Sequence, residues 1–251
     1  MSGRDEYYNK AKQQGYRSRS AYKLQQLDET ATLFEDGDTV VDLGAAPGGW
    51  LQVAAERVGT GRVVGVDRQR IESLEGVETV RGDLTDEDVQ TDLAERIGEA
   101  DVVLSDMAPN MTGEYDLDHA RSVYLARQAL DVALDVLAPG GDFVAKVFDG
   151  RDLDALEADV DAEFEYVRTV RPDASRDESS ELYLVGKGRM TAPVEPGDEL
   201  VVAITDTGDE GDGIAKVEEY TLFVRNADEG EEVAVRVEDV KPRFGFADRL
   251  D

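Results

Sequence analysis

The stretch VVDLGAAPGGW, residues 40–50, runs from an apolar pattern onto an acid and then into a loop of small residues. Gly44, Pro47, Gly48 and Gly49 let backbone approach a ligand closely, and the only tryptophan of the chain, Trp50, follows at once. In open α/β sheets ligands bind beyond the carboxyl ends of the strands. Three more acids close strand-like runs: Asp67 in VGVD, Asp83 in VRGD and Asp106 in VLSD. Asp67 stands 25 residues after Asp42, an offset that suits an acid accepting both hydroxyls of a ribose. Asp83 is placed to meet an adenine edge, and Asp106 to sit beside the sulfur of a methyl donor. There is no G-x-G-x-x-G fingerprint, so a single nucleoside without a pyrophosphate fits better than a dinucleotide, which disfavours an NAD-dependent oxidoreductase. Lys146 lies inside the apolar run DFVAKVF, where a cation is costly unless paired or deprotonated. The chain has 7 lysines against 20 arginines, so a lysine there is not surface padding.

Composition removes several chemistries. Cysteine is absent, which excludes disulfides, thiolate metal sites and cysteine nucleophiles. His119 is the only histidine, so no polyhistidine metal site can form and no metal is expected. No apolar run approaches a membrane span, and the N-terminus has no apolar signal core, so a cytoplasmic protein is expected. The formal charge is −30 and the acids are spread along the whole chain. That is the surface of a haloarchaeal protein kept soluble in concentrated salt, where the Debye length is about 3 Å at 1 M. Residues 1–27 reverse the sign, with six basic residues against two acidic, a balance of +4 that leaves −34 for the remainder. Tyr7, Tyr8, Tyr16 and Tyr22 alternate with these cations, a mixture suited to RNA: cations such as Arg17 and Arg19 on phosphates, tyrosines on bases. A tyrosine-rich helix packed on the domain would account for the same pattern.

Positioning these residues requires strands that alternate with helices. Strand-like runs fall at 39–45, 61–67, 77–83, 101–107, 142–148, 164–170 and 181–187. Helical periods fall near 49–58, 86–97, 118–137 and 152–161, the third ended by Pro139-Gly140-Gly141. The fold class is α/β, a doubly wound, Rossmann-like sheet of seven strands, with one of the last two strands entering antiparallel. After residue 188 the pattern changes to short alternating runs with Gly-Asp turns, which predicts a small β-barrel of about five strands over 189–251.

DLGAAPGGW, VGVD, GDLTD, SDMAPN and AKVF together resemble the FtsJ/RrmJ family of S-adenosylmethionine-dependent RNA 2′-O-methyltransferases, from about Ser18 to Lys187. The resemblance implies S-adenosylmethionine as cofactor, contacted by Gly48, Trp50, Asp67, Asp83 and Asp106. It also implies a catalytic set of Lys23, Asp106, Lys146 and Glu181. A ribose 2′-hydroxyl is a poor nucleophile, so Lys146 would take or orient its proton while Asp106 and Glu181 hold the lysines and the hydroxyl in line. GDGIAKVEEYTLFVRNADEGEEVAVRVEDV resembles a TRAM domain, a small RNA-binding barrel. Residues 190–251 hold six basic against 17 acidic residues, a balance of −11 that is poor for phosphate contact. The cations and aromatics best suited to RNA there are Lys216, Arg225 and the tail KPRFGFADR; a stability module without RNA contact is the alternative. The expected activity is 2′-O-methylation of a uridine in 23S, large-subunit ribosomal RNA, free or within the ribosomal particle, by a monomer. The rivals are a tRNA anticodon-loop 2′-O-methyltransferase and a non-catalytic RNA-binding ribosome assembly factor.

Overall fold

Runs of valine, leucine and alanine with no polar alternation can be buried on both faces only in the middle of a parallel sheet. A computed structural model, which describes residues 4–176, 179–208 and 211–250, shows them there. The chain divides into two units, Met1–Lys187 and Gly188–Asp251. In the first, seven strands form one sheet: β1 (Thr39–Leu43), β2 (Arg62–Asp67), β3 (Val77–Arg81), β4 (Ala100–Ser105), β5 (Leu137–Phe148), β6 (Phe164–Val170) and β7 (Glu181–Arg189). Their order is β3-β2-β1-β4-β5-β7-β6. β1 pairs parallel with β2 and β4, and β7 runs antiparallel to β5, as expected of one of the last two strands. The order reverses between β1 and β4, which opens a crevice at their carboxyl ends.

Among the described residues six helices accompany the sheet: α1 (Arg4–Gln14), α2 (Ala21–Ala31), α3 (Gly49–Val58), α4 (Glu87–Ile97), α5 (Tyr115–Val136) and α6 (Leu153–Asp161). One apolar layer holds α4, α5 and α6 through residues such as Leu93, Ala129 and Leu156. The other holds α2 and α3 through Leu24, Leu27 and Leu51. Full burial of a leucine side chain stabilises by about 2 kcal/mol, so α2 is anchored firmly enough to present Lys23 from a fixed backbone. α5 begins three residues earlier than its apolar period indicates, with Asp116 and Asp118 in its first turn, where the helix dipole favours acids. It ends at Val136, before the Pro-Gly-Gly. The register jumps from Ala100↔Leu137 to Val102↔Asp142, so that residues 138–141 stand opposite Asp101 alone.

The basic N-terminal segment forms α1 and α2, and its tyrosines serve packing. Tyr7 and Tyr16 lie 5.4 and 5.7 Å, ring to ring, from the buried Tyr22, and Lys10 Nζ stands 4.7 Å from the Tyr22 ring centre. Of the four, Tyr8 is the one left largely exposed. The packing explanation therefore holds for three of the tyrosines. Residues 1–3 of the segment lie outside the described residues.

In the second unit β8 (Glu199–Thr207), β9 (Gly213–Val217), β10 (Tyr220–Arg225), β11 (Glu232–Val240) and β12 (Phe244–Arg249) close into a barrel in the order β10-β12-β11-β8-β9. Alternate residues point inward, and Val202, Ile204, Leu222, Val235 and Ala247 are among those that fill it. Asp209 and Glu210, part of a Gly-Asp turn expected from the sequence, lie outside the described residues.

Candidate active site

Three strands and one helix bring Lys23, Asp106, Lys146 and Glu181 to the crevice. Asp106 follows the last residue of β4, whose Ser105 pairs with Ala145 of β5, so Lys146 arrives beside it. Lys146 Nζ donates to the Asp106 carbonyl oxygen (2.5 Å) and to its Oδ1 (2.8 Å). On α2, Lys23 forms an ion pair of 2.6 Å with Glu181 Oε1, which also accepts from Ser175 Oγ (2.8 Å). Lys23, Lys146 and Glu181 are all buried. Buried charges of both signs in contact offset a desolvation cost that any one alone would incur; removing one partner of such a pair costs about 3–5 kcal/mol.

Tyr183 joins the two pairs and was not singled out from the sequence. It sits opposite Lys146 in the β5–β7 register and donates its hydroxyl to Asp106 Oδ1 (2.7 Å), while Lys23 Nζ lies 5.8 Å from its ring centre. The signal was available: Tyr183 is two residues past Glu181 on one strand and so shares its face. Burial pushes the Asp106 carboxyl up, but the Lys146 and Lys23 charges, with the hydrogen bonds from Lys146 and Tyr183, outweigh it and hold Asp106 below the usual carboxylate range. Under β5, the buried His119 has Nδ1 2.8 Å from Phe148 O, and its Nε2 accepts from the Asp152 N–H (3.1 Å). Those two contacts brace the strand end that carries Lys146.

Two cavities meet at this set. One, of about 770 Å³, is lined by Gly44, Ala46, Asp67, Asp83, Asp106 and Met107, among others. A Cβ at Gly44 would come 2.4 Å from Met107 Cγ, so the loop can close this tightly only with glycine there. Asp67 Oδ2 accepts from the Ala46 N–H (2.9 Å) and Oδ1 from the Gln69 N–H (2.7 Å), leaving each oxygen capacity for one more donor. Asp83 accepts from Thr85 N and Oγ1 and pairs with Arg68; the Thr85 hydrogen bonds, backbone then side chain, chiefly keep its pKa low. Three spaced carboxylates beside a glycine wall can accept hydrogen bonds from the hydroxyls and amine of a nucleoside.

Gly48 and Trp50 do not line that cavity. The Trp50 indole is buried, donates Nε1–H to Ser20 O (2.9 Å) and packs 5.8 Å from the Tyr183 ring. Gly48 turns the chain at φ 107° against the Arg17 guanidinium. What these two positions can offer a ligand is backbone N–H at the start of α3, where the first turn has no intrahelical acceptors. Asp42, given no role from sequence, is fully enclosed, and neither carboxyl oxygen meets a hydrogen-bond partner among the described residues. Burial, then the charges of Asp106 and Asp67, push its pKa well above the ordinary value.

The second cavity, of about 450 Å³, is lined among the described residues by Arg19, Lys23, Lys146 and Arg176, by the acid Glu181, and by the apolar Met111 and Phe148. Asp106 faces the first cavity and Lys146 the second, and their 2.8 Å ion pair stands between the two. The loop beside them is shaped by Asp118, which accepts from Thr112 N and Oγ1 and from Gly113 N. Arg17, expected to face RNA phosphates, is differently employed, whereas Arg19 lines the second cavity. Arg17 donates to three backbone carbonyls, and Arg19 Nη2 donates to Ala174 O (2.6 Å).

Residues 16–189 match the model of the FtsJ-like methyltransferase family. The chain belongs to that family. Residues 193–250 match the TRAM domain. A protein of Natronomonas pharaonis named ribosomal RNA large subunit methyltransferase E is 68% identical over the full length of both chains. One of the same name from Halorubrum lacusprofundi is 70% identical across all of this chain and 95% of its own. A ribosomal RNA methyltransferase structure from Plasmodium falciparum superposes with a TM-score of 0.63 at 27% identity, covering 69% of this chain and 98% of that one. The haloarchaeal relatives accord with the acid-rich surface. Among the described residues no helix is long and apolar enough to cross a membrane, and no cluster of acids and histidine could hold a metal. On the barrel, Phe223 of β10 and Phe244 and Phe246 of β12 form an outer aromatic cluster, with ring centres 5.6–5.8 Å apart.

Proposed function

We propose that this protein transfers a methyl group from S-adenosylmethionine to the ribose 2′-hydroxyl of a uridine in large-subunit ribosomal RNA. The observation that carries the reading is the Asp106–Lys146 pair standing between two cavities, one suited to a nucleoside methyl donor and one rich in cations. Asp67 and Asp83 would hold the ribose and the adenine of the donor, and the backbone N–H groups at Gly48 and Trp50 its carboxylate. S-adenosylmethionine, when bound, supplies an electrophilic methyl group on a sulfonium. The second cavity is large enough for one nucleotide turned out of its strand, its phosphate near Arg19 or Arg176 and its base against Met111 and Phe148. Lys146 would receive or hold the proton that the hydroxyl loses, fixed in place by Asp106, while Lys23 and Glu181 orient the hydroxyl for an in-line attack.

The names of the haloarchaeal relatives favour large-subunit ribosomal RNA over a tRNA anticodon loop. An assembly factor that only bound RNA would have no use for two buried lysine–carboxylate pairs facing a donor cavity. Calorimetry in concentrated KCl tests the donor directly. S-adenosylmethionine and its demethylated product should bind to one site without competition from NAD; tight NAD binding would contradict the reading.

A further inference from the structure

Residues 15–20 connect the basic helix α1 to α2, which carries Lys23, and they lie against the glycine loop. Arg17 is the centre of that contact. Its Nη1 donates to Pro47 O (3.2 Å) and Glu72 O (2.7 Å), and Nη2 donates to Ser73 O (2.9 Å). Its backbone N–H donates to Gln52 Oε1 (2.8 Å), and Gln52 Nε2 donates back to Gly15 O (3.0 Å). The fit is close on both sides: a Cβ at Gly48 would stand 2.9 Å from Arg17 Nη1, and one at Gly49 would stand 2.1 Å from Ser18 Oγ. Residues 17 and 18 thus lie directly over both glycines.

Every partner of the Arg17 guanidinium is a neutral carbonyl, and among the described residues no acid pairs with it, in a chain of 57 acidic residues. Two separate loops supply those carbonyls. Pro47 belongs to the loop after β1, whose Gly44 and Ala46 line the donor cavity; Glu72 and Ser73 belong to the connection after β2, whose Asp67, Arg68 and Gln69 line it too. A planar fork with several fixed donors can hold two loops at a set spacing, which a single ammonium cannot.

We propose that Arg17 is a positioning residue for the methyl donor. Its fork fixes the glycine loop against the β2–β3 connection and ties the seat of the donor to the segment that leads to Lys23. The inference rests on the S-adenosylmethionine reading and adds to it a coupling between that seat and residues 15–20. Arg17 lines neither cavity, so its loss acts on donor affinity rather than on the transfer step.

The test uses the full chain in concentrated KCl, with steady-state transfer to RNA and calorimetry of S-adenosylhomocysteine. Arg17→Ala should raise the KM for donor and the Kd of the product by about tenfold or more, the worth of losing charge-assisted hydrogen bonds, with a much smaller fall in kcat. Arg17→Lys should resemble Arg17→Ala, while added guanidinium ion should restore part of the affinity of Arg17→Ala and leave wild type unmoved. A residue that only stabilises the fold would lower Tm without this split and without rescue. Hydrogen exchange on wild type provides a check that needs no variant: product binding should slow exchange in residues 15–20 together with 44–52. Unchanged donor KM in a folded Arg17→Ala, or protection confined to 44–52, overturns the proposal. Failure of wild type to bind the product at all overturns the donor reading itself, and the two failures are thereby told apart.

Discussion

The crevice of the first unit and the outer face of the barrel both collect residues that suit RNA, and they do so by opposite means. In the crevice the charges are buried and paired at fixed distances, with Lys23 on Glu181 and Lys146 on Asp106. On the barrel the charges are exposed and the apolar groups stand outward: Arg225 pairs with Asp248 and Arg236 with Glu199 in the open, around Phe223, Phe244 and Phe246. Exposed pairs of that kind are worth about 0–1 kcal/mol and less in concentrated salt. A protein with a charge of −30 and a salt-screened surface keeps little phosphate attraction, whereas stacking of bases on aromatic rings survives salt. The contrast favours chemistry in the crevice, and an RNA contact on the barrel would rest on its rings rather than on its charges.

The largest effect is expected where the charges are buried. Lys146→Ala should reduce turnover by at least about a hundredfold, a general acid–base contribution, while donor affinity measured by calorimetry stays within error. Lys146→Arg should fail as badly, because a guanidinium does not give up its proton at working pH. An arginine variant with near-normal turnover would show that positive charge alone is needed and would remove the proton role from the crevice.

On the barrel, replacing Phe244 and Phe246 together by alanine should weaken RNA binding by about tenfold, since each stacked base is worth roughly 1–3 kcal/mol. Donor affinity should not move, and the deficit should persist between 1 and 3 M KCl. If the deficit shrank as salt rose, phosphate contacts would be holding the RNA and the contrast between the two faces would be lost.

Much of the first unit is legible in its sequence because the informative residues lie where local pattern is strongest. Asp67 and Asp106 follow β-branched runs, and Lys146 interrupts one, so strand ends and chemistry were read from the same few residues. Side-chain hydrogen bonding was not legible. Composition shows that Arg17, Arg19 and Tyr22 are cationic or aromatic, but whether they face RNA or the protein is decided by carbonyls such as Pro47 O and Ala174 O, far away in sequence. Trp50 shows the same limit. A tryptophan after a glycine loop invites a ligand, yet its N–H is taken by Ser20 O, and its ring packs near Tyr183.

The smallest effect concerns Asp42 and separates it from Asp106 in the same crevice. Asp106 has a depressed folded-state pKa, so its contribution is present above the unfolded value of about 3.9 and is lost as pH falls through the folded value. Asp42 has a raised pKa, so its contribution is full below about 3.9 and is lost as pH rises through the folded value. The Tm of Asp42→Asn relative to wild type should therefore climb as pH increases above about 4, and that of Asp106→Asn should drop as pH rises through the range below about 3.9. A pH-independent difference for Asp42→Asn would mean that its carboxyl is ionised and has found a partner.

The central claim is that the crevice methylates a ribose hydroxyl. It is tested most directly by incubating the protein, in concentrated KCl, with large-subunit ribosomal RNA and S-adenosylmethionine carrying a deuterated methyl group, followed by digestion to nucleosides and mass spectrometry. Label should appear in 2′-O-methyluridine and be absent when Lys146→Ala replaces wild type. Label on a nucleobase, or none in any nucleoside from RNA that the protein binds, would contradict it.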